Sequence, residues 1–575
     1  MLPLPAVAGT MLIIKIWKIQ DERKLMIEDL WYKNAVIYNL DVGTFMDADG
    51  DGYGDFEGLV RRLDYLAGLG VTCLWLLPFQ PTPDRDNGYD ITDYYGVDPR
   101  HGSLGDFVEF MHQARGRGIR VIMDLVVNHT SDQHPWFKAA RSDKRSPYRE
   151  WYVWSKKRPK NFQEGMVFPG VQKATWTYDK EAREYYFHRF YEFQPDLNTQ
   201  HPAVQAEIRR IMGFWLELGV CGFRVDAVPF IIEAEGLRKK PLLRFDYLRE
   251  LREFLQWRCG DAILLGEANV LPPEHLQYFG EQDDRMHMLF NFFVNQHLFY
   301  ALASGDVRPL IKALRGTDAL PHSAQWGQFL RNQDEVDLGR LTEEQRQAVF
   351  AQFGPEERMQ LYHRGIRRRL APMLGNRPQL ELATSLMFTL PGTPVIRYGD
   401  EIGMGDDLAL KERDSVRTPM QWSDEPQGGF STAEKTVLPV IDTGVYSFGN
   451  INAAVQRRDP ESLLNWTERI IRMRKECPEI GWGTCKVLST GSPHVLALRY
   501  DWRGNAVIVV HNFDKRPHSI ALTAEAEQHE RLVNLLSEHH SIADERGRHH
   551  LSLEAFGYRW FRVGGLQYLL QREKV

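Results

Sequence analysis

Three acids stand where short apolar runs end. Asp226 follows Gly222-Phe223-Arg224-Val225, Glu267 follows Ile263-Leu264-Leu265-Gly266, and Asp334 comes shortly after Gln328-Phe329-Leu330. A carboxylate at the C-terminal end of a buried parallel strand is where a β/α barrel keeps its chemistry. The three are therefore predicted to converge on one sugar ring. Arg224 lies two residues before Asp226, on the same side of an extended strand. Its guanidinium would hold Asp226 ionised, as a nucleophile must be; a structural ion pair inside the barrel is the other reading. Glu267 is then the partner acid with a raised pKa. Retaining glycosidases keep such a pair ~5–5.5 Å apart and pass through a glycosyl-enzyme ester. Asp334 would stabilise positive charge on the flattening ring.

Other stretches supply binding chemistry. Tyr89 and Asp90, in a turn after the second apolar run, suit a pyranose: the ring stacks on the aromatic face and the acid accepts hydroxyl hydrogens. His129, after 124-DLVVN-128, could donate to a sugar hydroxyl or be a core histidine satisfied by backbone. Asp124, inside that run, reads as structural. Asp47, Asp49, Asp51 and Asp55 alternate with other residues, among them Gly50, Gly52 and Gly54, and with the Tyr53 carbonyl they could wrap a hard cation, Ca²⁺ or Mg²⁺, in a structural role. The loop resembles the first part of an EF-hand, but Gly58 stands where the twelfth-position Glu would be. An acidic turn without metal is the alternative.

The elements that must position these groups are legible as alternation. Apolar runs at 35–38, 73–77, 121–127, 222–225, 263–265, 286–290, 326–330 and 394–396 are separated by helical patterns such as 56–69, 104–117 and 206–218. Eight β/α units predict a closed parallel (β/α)₈ barrel, a TIM barrel, in the α/β class. An open doubly wound sheet would want a Gly-rich phosphate turn after a strand. The aromatic-rich stretch between strands three and four reads as a lobe inserted over the mouth. Residues 337–373 read as a second, mostly helical excursion, with the run Arg367-Arg368-Arg369 on a solvated or salt-bridged face. Runs at 495–500, 506–511, 519–522, 532–535 and 558–563 predict a C-terminal antiparallel β domain. The expected division is an N-terminal extension at 1–25, barrel at 26–130, inserted lobe at 131–197, barrel at 198–478 and β domain at 479–575.

Composition narrows the class. Lys+Arg 71 against Asp+Glu 77 leaves −6, which gives no push toward nucleic acid or an anionic membrane. Five scattered cysteines show no CxxC pair, so a reduced, cytoplasmic protein is expected. The apolar start has no basic n-region or small-x-small site, and it is too short to span a bilayer. A homo-oligomer is compatible with this surface. Metal-dependent hydrolysis would want HxH or HExxH spacing, which the strand ends do not show. A binding-only barrel would have lost one of the acids, and all three are present.

With these residues in view, the chain resembles the α-amylase family of glycoside hydrolases (family 13). DLVVNH (124–129), GFRVDAVP (222–229), LLGEAN (264–269) and RNQDE (331–335) follow its signature regions in order, and QPDLN (194–198) resembles its oligo-1,6-glucosidase-like branch. The stretches at 365–372, 398–405, 417–422 and 458–466 are most similar to its trehalose synthase branch, whose members interconvert maltose and trehalose. The resemblance implies Asp226 as nucleophile, Glu267 as general acid/base and Asp334 as stabiliser. It implies that Tyr89, Asp90, His129, Arg224 and Arg417 hold the sugar. It also implies a second Ca²⁺ site from Asn128, Asp196, Glu233 and the carbonyls of Phe230 and Ile231. Small α-glucosides are the implied substrates. Two departures stand out. Gln333 replaces the family's histidine before the third acid; it can donate to hydroxyls but cannot carry charge. Residues 236–244 match no pattern of that branch.

Overall fold

The computed structural model describes residues 30–234, 242–524 and 531–564. The expected extension at 1–25 and residues 236–241 of the divergent segment lie outside them. Eight strands close a parallel barrel: β1 Ile37–Leu40, β2 Cys73–Leu76, β3 Arg120–Leu125, β4 Gly222–Val225, β5 Ile263–Gly266, β6 Met288–Phe290, β7 Gln325–Phe329 and β8 Thr393–Arg397. Every expected run became a strand, and β8 returns to pair with β1.

Side-chain alternation sets what fills the barrel. Ile37, Cys73, Trp75, Ile122, Ile263, Leu265, Met288, Phe290, Phe329 and Val395 form one apolar cluster inside it. A much larger cluster joins the outer strand faces to the surrounding helices. Toward the C-terminal ends the inward positions turn polar. Asp124 sits opposite Arg224 in the β3–β4 register, and both are about 1% exposed. The same inward phase carried two residues further reaches Asp226 on β4 and Glu267 on β5, so the alternation that builds the core also aims the acids.

Helices Leu104–Gly116 and Pro202–Glu217 fall where periodicity places them. Both have side-chain caps, from Ser103 with Asp106 as a capping box and from His201. The run expected over 56–69 is two helices, Phe56–Arg61 and Leu63–Leu69, which meet at Arg62 with ψ near 1°.

Two excursions rise over the mouth. The first carries a three-stranded antiparallel sheet from Trp154–Ser155, Trp176–Asp179 and Glu184–Phe187. The second corrects the mostly helical expectation. Besides helix Glu343–Phe353 it folds a small sheet from Val336–Asp337, Gln360–Leu361 and Gly365–Ile366. The arginine run is not a solvated face either. Arg367 and Arg369 are 8% and 2% exposed; Arg367 donates to the carbonyls of Arg358, Leu408, Leu410 and Glu412, and Arg369 to that of Tyr398. The salt-bridged part of the expectation holds for two of them: Arg368 pairs with Asp406 at 3.3 Å and Arg369 with Asp400 at 3.5 Å. The C-terminal strands are antiparallel, as expected, and include Thr484–Leu488 and Arg548–Leu553, which the pattern had not revealed.

Candidate active site

Arg224 is the hub that gathers the acids. Its Nη1 donates to Asp226 at 2.6 Å and to Asp124 at 3.1 Å, while Nη2 pairs with Glu267 at 2.8 Å. Two carboxylates on one guanidinium must be near neighbours, as a retaining pair requires. Just beyond Asp226, Ala227 is left-handed (φ 52°), and its N–H donates to Glu267 at 3.2 Å. The turn that ends β4 thus also helps to fix the acid on β5.

Asp334 arrives from beyond β7 and is held by other arginines. Arg413 lies 3.0 Å and Arg417 3.2 Å from one of its oxygens. These contacts separate the three acids electrostatically. Burial pushes Asp226 up to about 6, with Arg224 opposing and Asp124 and Asp334 adding to the rise. Burial pushes Glu267 up to about 7, again against Arg224 and with repulsion from Asp226 and Asp334. Burial acts on Asp334 in the same sense, but Arg413 and Arg417 outweigh it and hold the carboxyl below its ordinary value. Arg224 does favour the charged form of Asp226, as expected, but burial outweighs it and raises the carboxyl.

The remaining expected residues divide. Tyr89 lines the cavity; its hydroxyl donates to Asp124 at 2.6 Å and accepts from Gln333 at 2.9 Å. His129 also lines it, with Nε2 3.0 Å from the Tyr89 carbonyl, and burial lowers its pKa to about 4. It is a neutral ring whose Nε2 is already matched to backbone. Arg417 reaches Asn87, the Gln333 carbonyl and Asp334.

Asp90 does not face the cavity. Asn87 and Gly88 both have positive φ (46° and 89°), and this reversal folds Asp90 back onto its own loop. There it accepts from Thr82 at 2.9 Å and from the N–H groups of Arg85 and Asp86. Asp86 lines the cavity instead, held by Gln194 at 2.8 Å and pushed up to about 6 by burial against Arg413 and Arg417.

Gln333 is also placed differently from expectation. Its side chain is fully buried, and Nε2 donates to Tyr89 and, at 3.1 Å, to Asp334; Oε1 has no hydrogen-bond partner. It ties the stacking tyrosine to the third acid rather than reaching a sugar hydroxyl. Gln333→Ala should lower kcat/KM about tenfold or more, since a hydrogen bond to a charged group contributes roughly 1.5–3 kcal/mol. Steady-state kinetics with thermal unfolding as control would check this; an unchanged kcat/KM contradicts it.

A cavity of about 690 Å³ spans these groups, within the ~300–1,000 Å³ of small-molecule sites. The two excursions meet over it. The Phe168 ring lies 4.8 Å from both Tyr191 and Tyr362, Arg413 stacks over Phe168 at 4.7 Å, and Arg364 donates to the Val167 carbonyl at 3.0 Å. Tyr191 and Tyr362 both donate to Glu412, at 2.7 and 2.8 Å. Tyr362 and His363 hold positive φ (54° and 59°) at this closure, a costly conformation for non-glycine residues.

The acidic loop after β1 gathers oxygens from Asp47, Asp49 and Asp55 within 4.8 Å of one another. Asp51 instead accepts from the Tyr53 N–H at 2.8 Å, and Asp47 accepts from Gly50 and Gly52. Gly52 has φ 96°, and a Cβ there would lie 2.2 Å from the Lys435 carbonyl oxygen. This convergence of hard oxygens fits a cation. At the second set, Asn128, Asp196, Phe230 and Glu233 line a cavity of about 30 Å³. Burial pushes Asp196 up to about 7, which favours a positive neighbour. Arg189 already pairs with Glu233 at 2.5 Å, and the Ile231 carbonyl accepts from Thr199 at 2.8 Å. An ion here would have to take Glu233 from Arg189.

Residues 42–483 match the model of the α-amylase catalytic domain. The chain belongs to the α-amylase family. Residues 504–562 match a sucrose hydrolase-like C-terminal domain. Among α-amylase family members, the chain is 43% identical over 550 residues to a trehalose synthase of Thermus thermophilus, covering 95% of this chain and 56% of that protein. It therefore spans little more than half of that relative's length. It is 42% identical over 516 residues to the trehalose synthase/amylase TreS of Mycolicibacterium smegmatis, covering 87% of each. The crystal structure of the trehalulose synthase MutB from Pseudomonas mesoacidophila matches with a TM-score of 0.73 at 27% identity, over 93% of this chain and 99% of that one.

Two residues that this structure places at the cavity escaped the sequence reading. Asp86 was masked by the adjacent Tyr89-Asp90 pair. Arg413 lies 79 positions beyond Asp334, and no local pattern links the two.

Proposed function

We propose that the protein moves a glucosyl unit within a disaccharide, interconverting maltose and trehalose with retention. Asp226 attacks the anomeric carbon while Glu267 gives its proton to the departing oxygen, leaving a glucosyl ester and free glucose. The glucose turns inside the cavity, beneath the two excursions. Glu267, now a base, takes the proton from its anomeric hydroxyl, whose oxygen attacks the anomeric carbon and expels Asp226. The observation that carries the reading is the single guanidinium of Arg224 bonded to both Asp226 and Glu267, with Asp334 held opposite by Arg413 and Arg417. The trehalose synthase names of the relatives give the substrate pair its support.

Such a transfer needs water kept out, since water on the ester gives glucose. The contacts of Phe168, Tyr191, Tyr362 and Arg364 supply that cover. Incubation with maltose should give trehalose as the main product. Glucose alone would make the protein an α-glucosidase or a glucosyltransferase with another acceptor, and no turnover a carbohydrate-binding homologue. Opening the cover with Arg364→Ala should raise the ratio of glucose to trehalose several-fold, read by chromatography; an unchanged ratio contradicts the closure.

The acidic loop is assigned to a structural Ca²⁺ or Mg²⁺, held by Asp47, Asp49 and Asp55, with the Asn128, Asp196, Glu233 set as a second site. Such an ion would neutralise clustered acids and stiffen the loop. Among the described residues no helix is long and apolar enough to cross a membrane, and the five cysteines are unpaired thiols. The cytoplasm is the compartment that fits them.

A further inference from the structure

A second constellation lies far from the acids, where the C-terminal β domain meets the barrel helices. His494 precedes strand Val495–Trp502, and Asp514 and His518 flank the turn between strands Asn505–Asn512 and His518–Thr523. Ligand atoms of all three lie within 4.8 Å of one another. We propose that His494, Asp514 and His518 bind a transition-metal ion of the Zn²⁺ class.

The geometry is suited to it. His518 Nε2 lies 2.9 Å and His494 Nε2 4.0 Å from the same oxygen of Asp514. His494 Nδ1 is 2.7 Å from the Gly305 carbonyl, so it carries the proton and leaves Nε2 with a free lone pair aimed at the cluster. A backbone carbonyl on the distal nitrogen is the usual way to orient a metal-bound imidazole. Asp514 is 8% exposed, and its Oδ2 already collects the His518 ring nitrogen at 2.9 Å and Arg516 at 3.1 Å, so it presents an oxygen toward positive partners. Two imidazoles and one carboxylate are borderline donors that suit Zn²⁺, with water in the fourth position. Ca²⁺ and Mg²⁺ prefer all-oxygen sets.

Asp514 has other partners. Arg516 reaches the same oxygen at 3.1 and 3.3 Å, its own N–H donates to the other oxygen at 3.2 Å, and the Asp514 N–H donates to Asn512 at 3.0 Å. The Arg516 side chain is 72% exposed and can swing into water when the cation arrives.

The ion would act as a staple. His494 is tied to the turn between helices Phe292–Ser304 and Arg308–Gly316 through Gly305, and the neighbouring Val307 N–H donates to Pro493 at 2.9 Å. All three ligands belong to the β domain, so the ion would pin His494 to the turn at Asp514 and His518. It would reach the barrel only through the contact of His494 Nδ1 with the Gly305 carbonyl, without touching the cavity.

Equilibrium dialysis of the chelator-stripped full chain against Zn²⁺ tests this. One ion per chain, a raised Tm and a tetrahedral Co²⁺ absorption band are expected. His494→Gln and His518→Gln should each weaken binding at least about tenfold, while His550→Gln, at the separate Asp544 pair, leaves it unchanged. Maltose turnover before metal addition should be unaltered in all three variants, which shows that they fold. Zn²⁺ bound as tightly by the His494→Gln/His518→Gln double variant, or no binding by the parent chain, would overturn the proposal.

Discussion

Asp226→Asn should lower kcat on maltose by on the order of 10⁴-fold or more while the chain stays folded. An amide in place of the carboxylate cannot form the ester, and removing a covalent nucleophile costs losses of this order or larger. The fold should survive because Arg224 keeps Asp124 at 3.1 Å and Glu267 at 2.8 Å, so its buried charge is not left alone. Thermal unfolding should shift little and substrate binding should persist. Azide supplied to an Asp226→Gly variant, whose missing side chain opens that face, would attack there and give a glucosyl azide of inverted configuration. Activity within tenfold of the parent would show that another group makes the bond.

Glu267→Gln carries the second large effect, a loss of about 10²–10⁴-fold, the range set by general acid–base groups. The loss should shrink for an aryl glucoside, whose leaving group needs no proton. Azide should then release the ester with retained configuration, opposite to its outcome in Asp226→Gly. The pH profile supplies the sign. Asp226 must be ionised, so kcat/KM falls as pH drops through about 6, where burial has raised its carboxyl. Glu267 must be protonated for the first step, so kcat/KM also falls as pH rises through about 7. The limbs belong to the interacting pair, not to one residue each. In Glu267→Gln the alkaline limb should vanish and the acid limb remain. A profile of the variant with both limbs intact would remove Glu267 from its role.

The barrel and its acids were legible because one periodicity writes both. The alternation that sends Trp75, Ile122 and Leu265 inward also sends Asp124, Arg224, Asp226 and Glu267 to one side, so counting by twos from the apolar core reaches the chemistry. Turns hide their geometry better. Asn87 and Gly88 reverse the chain and exchange the expected Asp90 for Asp86, and no side-chain pattern announces a pair of positive φ values. Burial was misjudged at Arg367 and Arg369, where a solvated or salt-bridged face was expected: Arg367 is held by the carbonyls of Arg358, Leu408, Leu410 and Glu412, and Arg369 by that of Tyr398 together with its pair to Asp400. Gln333 was read as able to donate to hydroxyls because it takes the place of the family's histidine, and only its packing against Tyr89 shows where its amide points. Arg413 had no signal, since its partnership with Asp334 exists only in three dimensions.

The most direct measurement is to trap the intermediate. A fluorinated glucosyl donor that forms the ester quickly and breaks it slowly should add one sugar to the protein. Mass spectrometry of the digested chain should then place it on the peptide carrying Asp226. A label on Asp334 or Glu267, or turnover with no labelled peptide, would contradict the account.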